Sequence, residues 1–152
     1  MPEPTKRLSG NQSLVVDSKN RLVLPAKFRE ALGPTVRVGL FPQGDFLVLT
    51  ICAPDVYARR MDALEERAAT DPQLTRTLTF IDATTEEVDL DDQGRMTLTG
   101  DLKGFAGLER DVVVIGRGDH LQVWTLGRWE DFRKSAIEGA KGMHASLFGR
   151  AT

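Results

Sequence analysis

The chain has 152 residues, a hydrophobic share of 41%, a charged share of 28% and a net charge of −2, which is ordinary for a globular protein. No apolar run approaches the roughly 18 residues that a membrane-spanning helix needs, and the first residues lack the apolar core of a secretory signal. The single cysteine, Cys52, excludes an intrachain disulfide and a cysteine-rich metal cluster. We therefore expect a cytoplasmic protein.

Charge is distributed unevenly along the chain. Residues 1–40 contain seven Lys or Arg against three acids, whereas residues 41–152 contain 13 against 19. A basic end on an acidic body is compatible with a face that attracts the phosphates of nucleic acid. Chance segregation explains so modest a bias equally well.

A pattern of strand, turn and strand occurs twice, 74 residues apart. In the first copy, the apolar runs 13–17 and 21–24 flank a polar turn. In the second copy, residues 86–91 and 95–98 do the same. Asn20 and Gly94 occupy matching places in the two turns, and these residue types tolerate a positive φ. The sequence therefore predicts two equivalent β-hairpins.

The segments after each hairpin also correspond. Each copy continues with a short helix that ends before a glycine, then two strands and a closing amphipathic helix. The helices are predicted at 25–32 and 100–106, the strands at 36–40, 46–51, 111–115 and 120–125, and the closing helices at about 55–68 and 128–138. A break at Asp71-Pro72 precedes a short helical piece through Phe80. Neither half is long enough to bury its faces alone, so we expect the halves to pack together.

These motifs resemble those of the MraZ family, whose members carry two AbrB-like swapped-hairpin units marked by Asp-x-x-x-Arg. The similarity is sharpest at 17–29 (DSKNRLVLPAKFR) and 91–95 (DDQGR), with 105–108 and 118–124 in matching context. It covers about 8–138. Three positions depart from the family pattern: Asn20 stands where Gly is usual, Thr99 replaces a Pro, and Gly104 weakens the second short helix.

The resemblance implies an α+β fold in which two tandem swapped-hairpin β-barrel units pack as one pseudo-symmetric body. The implied segments are a leader, a first repeat, a linker with a short helix, a second repeat and a polar C-terminal tail, at 1–7, 8–69, 70–84, 85–138 and 139–152.

The resemblance also implies a function. Family members are DNA-binding regulators of the division and cell-wall gene cluster, and we expect this chain to act as a repressor. They bind short, spaced promoter repeats as ring-like homo-oligomers. We therefore expect double-stranded DNA and further copies of the chain as partners, association with the nucleoid, and no cofactor, metal, membrane or small-molecule substrate. An AbrB-like antitoxin and an oligomeric scaffold without specific DNA binding are the alternatives.

The Asp-x-x-x-Arg turns are the candidate DNA contacts. Asp17 can accept hydrogen bonds from the turn backbone or from the Arg21 guanidinium, whose planar fork matches phosphate or the O6/N7 edge of guanine. A solvated Asp–Arg pair on the surface is the alternative for an isolated motif. The residues expected to contact DNA are Asp17, Lys19, Asn20, Arg21, Lys27, Arg29 and Arg95.

The two copies differ in charge. Lys19, Arg21, Lys27 and Arg29 are expected to cluster at the first turn and to hold flanking phosphates. Arg95 is the one basic residue among seven acids between Asp82 and Asp101, which would repel phosphate. Its role is therefore either DNA contact or a structural or interface contact.

Enzyme signatures are weak. Residues 89–94 imitate the start of a calcium-binding loop, but Gly100 stands where the bidentate Glu would be. His120 and His144 lack metal-ligand spacing. We expect no catalytic site.

Overall fold

The computed structural model describes residues 7–149. Within that range, eight strands and six helices follow one another along the chain. They are β1 (Asn11–Val15), β2 (Arg21–Val23), α1 (Ala26–Leu32), β3 (Thr35–Gln43), β4 (Phe46–Cys52), α2 (Pro54–Ala68), α3 (Pro72–Thr84), β5 (Glu86–Asp89), β6 (Arg95–Thr97), α4 (Gly100–Phe105), β7 (Asp111–Gly116), β8 (His120–Thr125), α5 (Leu126–Ala140) and α6 (His144–Phe148).

Strands from the two halves alternate within one antiparallel sheet. The order is β1-β7-β8-β4-β3-β5, and β2 pairs with β6 in a separate two-stranded ribbon. Exchanging every strand for its counterpart in the other half reproduces the same order read backwards. Leu49 pairs with Val123 and Leu22 pairs with Met96, and both pairs join positions 74 residues apart. An approximate twofold axis therefore passes through the centre of the sheet and the centre of the ribbon.

Two expectations about the strands are wrong. The strands that flank each turn do not continue as a hairpin, because β1 pairs with β7 and β2 pairs with β6. The sheet is open, with β1 and β5 at its edges, so no closed β-barrel forms. Both differences arise because strands of one half pair with strands of the other half. Each half therefore completes the sheet and the ribbon of the other and does not close on itself.

The main core lies between the sheet and the ribbon. Leu22 and Met96 on the ribbon are 0% and 2% exposed, and Phe28 on α1 and Leu102 on α4 are buried in the same cluster. Burying a side chain of this size stabilises a fold by about 1.5–3 kcal/mol. Both halves contribute to this one core, as the sequence predicts.

A second core lies on the other side of the sheet. Met61 of α2 packs against Leu78 and Ile81 of α3, and both helices contact β3. The Asp71 side chain caps α3 by accepting a hydrogen bond of 3.1 Å from the Leu74 N–H. At its other end, α3 extends to Thr84, four residues beyond the predicted helical piece.

The chain ends differ from the expectation in one respect. Part of the predicted polar tail is helical, because α6 forms at His144–Phe148. Residues 1–6 of the predicted leader and residues 150–152 of the tail lie outside the described range. None of the helices within 7–149 has both the length and the apolarity to cross a membrane.

We predict that neither half folds alone. A fragment ending at residue 69 lacks the β7 and β6 partners of its strands, and a fragment beginning at residue 85 exposes Val112 and Val114, which are buried in the whole chain. Circular dichroism should show no cooperative unfolding for either fragment, and their mixture should regain the transition of the intact chain. Cooperative unfolding of one fragment by itself would contradict the shared core.

Candidate nucleic-acid interface

The first turn is built around the carboxylate of Asp17. Its Oδ1 accepts hydrogen bonds from the backbone N–H groups of Lys19 at 2.8 Å and Arg21 at 2.9 Å. Its Oδ2 accepts a third from Arg21 Nε at 2.8 Å. The Asn20 N–H donates to the Asp17 carbonyl, and Asn20 has a φ of 60°. One short carboxylate side chain therefore fixes both the turn and the direction of its arginine.

The second turn repeats this arrangement. Asp91 accepts hydrogen bonds from the N–H groups of Gln93 and Arg95, both at 2.9 Å, and from Arg95 Nε at 2.6 Å. Gly94, at φ 77°, takes the place of Asn20. The second copy is thus as completely formed as the first.

Hydrogen bonding lowers the pKa of both carboxylates. The backbone N–H of Arg21 contributes most to a pKa for Asp17 below its ordinary value, and the Arg95 N–H does the same for Asp91. Both acids accept through their ionised form, which these donors favour. At neutral pH, each arginine is therefore held by a permanent negative charge.

Both arginines lie on the same exposed face of the ribbon. Arg21 pairs with Thr97, and Arg95 pairs with Val23. Because side chains alternate along a strand, these four residues face outward while Leu22 and Met96 face the core. Within residues 7–149, no acceptor engages the terminal Nη atoms of Arg21 or Arg95. The arginine forks are oriented by their Nε atoms and remain available at their ends.

Each turn is contacted by the short helix of the other half. Lys103 of α4 donates a hydrogen bond from Nζ to Oδ1 of Asn20 at 3.0 Å. Arg29 of α1 lies against Gly94, where an added Cβ would come within 2.7 Å of the guanidinium carbon. Arg29 and Lys103 are counterparts 74 residues apart. The side chain at position 20 therefore has a partner, whereas position 94 has no room for a side chain.

The expected cluster of basic residues at the first turn does not form as predicted. Lys19 is exposed at that turn beside Arg21, but Arg29 lies at the second turn. Lys27 lies beside Gly10, before β1 begins, and its ammonium sits 4.8 Å from the ring of Phe28. Chain proximity is a poor guide here because each helix crosses to the turn of the opposite half.

Some of the acids expected around Arg95 are engaged elsewhere. Asp89 accepts a hydrogen bond of 2.8 Å from Thr35 Oγ1, and Glu87 lies 3.6 Å from Arg37. Both are on β5 at the edge of the sheet. Asp91 and Asp92 remain at the second turn, so Arg95 is less surrounded by negative charge than the sequence suggests.

Sequence reasoning missed Lys103 as a functional residue. It stands in a weak helix beside Gly104 and in a segment rich in acids. Its signal is the repeat itself, because it occupies the place in the second copy that Arg29 occupies in the first.

Comparison with known proteins identifies one family. The family model described as "MraZ protein, putative antitoxin-like" matches residues 81–147. The transcriptional regulator MraZ of Mycolicibacterium smegmatis is 31% identical over 129 residues, which are 85% of this chain and 88% of the relative. The protein of that name from Mycobacterium tuberculosis H37Rv is 34% identical over 125 residues, 82% of this chain and 85% of the relative.

We predict that position 20 accepts glycine but not valine. Its φ of 60° costs a β-branched residue about 1–3 kcal/mol, whereas glycine adopts it freely. Urea denaturation should show Asn20→Val destabilised by that amount and Asn20→Gly changed much less, apart from its lost bond to Lys103. Equal stability of the valine variant and the wild type would show that the turn is assigned wrongly.

Proposed function

The chain belongs to the MraZ family of transcriptional regulators, and we propose that it binds double-stranded DNA through the exposed face of the β2–β6 ribbon. The observation that carries this proposal is the shared orientation of Arg21 and Arg95, each fixed at Nε by an aspartate and open at its terminal nitrogens. The exchange of strands between halves is, on this proposal, the swapped-hairpin arrangement of the family.

The ribbon suits the major groove. That groove admits a two-stranded β-ribbon, and a terminal arginine fork can donate two hydrogen bonds to O6 and N7 of guanine. Arg21 and Arg95 are diagonal neighbours across the ribbon, so they lie about 7–8 Å apart and their Cβ atoms somewhat closer. Both can therefore reach base pairs of one groove at the same time.

The other predicted residues receive separate roles. Asp17 and Asn20 shape the first turn, and Lys19 contacts a phosphate near it. Arg29 supports the second turn through Gly94. We leave Lys27 out of the contact surface because it lies beside Gly10, at the far end of β1 from the first turn.

The proposed target is promoter DNA of the division and cell-wall gene cluster, where short spaced repeats are bound and transcription is repressed. One ribbon offers few contacts, so tight binding requires several subunits on adjacent repeats. Linked binding events raise affinity by supplying a high effective concentration for each further contact. We therefore propose that the chain acts as a homo-oligomer, ring-like as the family resemblance implies.

The exposed face of α5 is the proposed subunit contact. Its counterpart in the first half, α2, buries Val56, Met61 and Ala68, and α3 packs against it. α5 buries no residue, and Phe132 and Ile137 on its apolar side are 44% and 50% exposed. A second copy of the chain would cover this face as α3 covers α2.

We predict that both arginines are needed for specific binding. Arg21→Ala and Arg95→Ala should each reduce affinity for the chain's own upstream DNA by about 5- to 150-fold for each engaged subunit, which corresponds to the roughly 1–3 kcal/mol of one bidentate arginine–base contact. Fluorescence anisotropy against specific and scrambled duplexes measures this loss. The fold should survive because both side chains face solvent.

Arg67→Ala on α2 is the matched control, since it removes an exposed arginine on the opposite side of the sheet. If Arg21→Ala binds the specific duplex as tightly as the control does, Arg21 does not read bases. A wild-type protein that does not distinguish the two duplexes would favour a scaffold instead.

We predict that charge on the apolar side of α5 and α6 disperses the oligomer. Ile137→Glu and Leu147→Glu place a carboxylate on side chains that are 50% and 70% exposed in the single chain, so the subunit should still fold. Light scattering should show a smaller species for both variants. Asp131→Lys changes an exposed residue on the side of α5 away from both Phe132 and Ile137 by helical spacing, and it should retain the wild-type mass. A wild-type monomer at micromolar concentration would contradict the assembly.

A further inference from the structure

Two recesses flank the ribbon at positions related by the approximate twofold axis. The first, about 630 Å³ in volume, is lined by Asp17 and Ser18 of the first turn and by Lys103, Leu108, Glu109 and Arg110. The second, about 520 Å³, is lined by the counterpart turn and by Arg29. Both are many times the roughly 30 Å³ that a water molecule occupies in the liquid. Each therefore has room for a phosphate group beside an arginine that faces the proposed DNA.

The two recesses differ in charge. The first contains Lys103 and Arg110, neither of which forms an ion pair within residues 7–149. The Asp17 carboxylate there is already bound to Arg21, which leaves Glu109 as the one further acid among the lining residues. The balance of the free groups in the first recess is positive.

The second recess has the opposite balance. Arg29 is its one basic lining residue, and it is pressed against Gly94. Glu30 and Asp92 line the same recess, in addition to Asp91, which is bound to Arg95. A phosphate entering here would meet two carboxylates that form no ion pair within residues 7–149, so like-charge repulsion opposes it.

Lys103 is well placed to bind an anion. The residue is partly buried, and its ammonium group uses one proton on Asn20 Oδ1, which leaves two protons for other acceptors. The Arg110 backbone is fixed by the Val16 N–H, which donates to the Arg110 carbonyl at 2.8 Å. Two cationic residues from the second half of the chain therefore line the recess beside the turn of the first half.

We propose that Lys103 and Arg110 bind a phosphate of the DNA backbone next to the base contacted by Arg21, and that the second recess binds none. This inference rests on the proposed function of the ribbon. It makes the contact with DNA unequal: both turns present an arginine to the bases, but the backbone is anchored beside the first turn.

The test is the salt dependence of binding to the chain's own upstream DNA. Each phosphate contact contributes about −0.9 to the slope of log affinity against log salt. Lys103→Gln combined with Arg110→Gln should flatten the slope by about 0.9 for each subunit that contacts the DNA. Lys103→Arg combined with Arg110→Lys should keep the wild-type slope. Lys134→Gln combined with Arg67→Gln removes the same charge from exposed helix positions and should also keep it.

The slope separates phosphate binding from support of the turn. If Lys103 serves merely to hold Asn20, the double glutamine variant binds more weakly at every salt concentration with an unchanged slope, and the proposal is overturned. Arg29→Gln should leave the slope unchanged, and a loss of about 0.9 there would overturn the assignment of the second recess. If the affinity for specific DNA still falls in Arg21→Ala, the proposed function of the ribbon stands whatever the slopes show. A wild-type protein that does not bind DNA specifically would contradict both the proposed function and the phosphate site.

Discussion

The burial of Leu22 and Met96 between the ribbon and the sheet decides where both arginines point. These two side chains are paired at the twofold axis and are almost fully inaccessible. Because a strand alternates its side chains, the residues on either side of them must face outward. A shift of one residue in the pairing would turn Arg21 and Arg95 into the core and expose the apolar pair. The main core therefore specifies the proposed reading surface through its register.

The core places the two arginines on the outer face of the ribbon, and the aspartates orient their guanidinium groups. The Asp17–Arg21 and Asp91–Arg95 pairs are about one-third to two-fifths exposed, and pairs at such sites contribute little to stability. Their value lies in geometry, since each carboxylate occupies one arginine nitrogen and leaves the terminal fork open. Removing a carboxylate would loosen its turn and free its arginine to sample many rotamers, while the main core keeps the fold. Orientation before binding lowers the entropy lost on contact.

Local patterns predicted most elements but not their partners. Pro25 and Gly33 bracket α1, and β8 has the predicted bounds at His120–Thr125, because turn chemistry and alternation are local signals. Nothing local shows that β1 pairs with β7, since an apolar strand fits either partner. For the same reason Arg29 was expected at the wrong turn and Lys103 was not selected. The offset of 74 residues shows which residues are counterparts. Once one contact between the halves is known, twofold symmetry therefore predicts a second.

The two halves are joined in one chain, and this gives the ribbon a polarity. A dimer of identical half-length chains would carry the same residue at both turns, and twofold protein symmetry is matched by palindromic DNA. Here, Asn20 and Gly94 differ, as do Lys103 and Arg29. A substitution at one turn leaves the other unchanged, so the two ends of the ribbon can acquire separate preferences. A subunit that binds DNA as proposed would distinguish the two directions along a duplex, and subunits bound head to tail would then favour direct over inverted repeats.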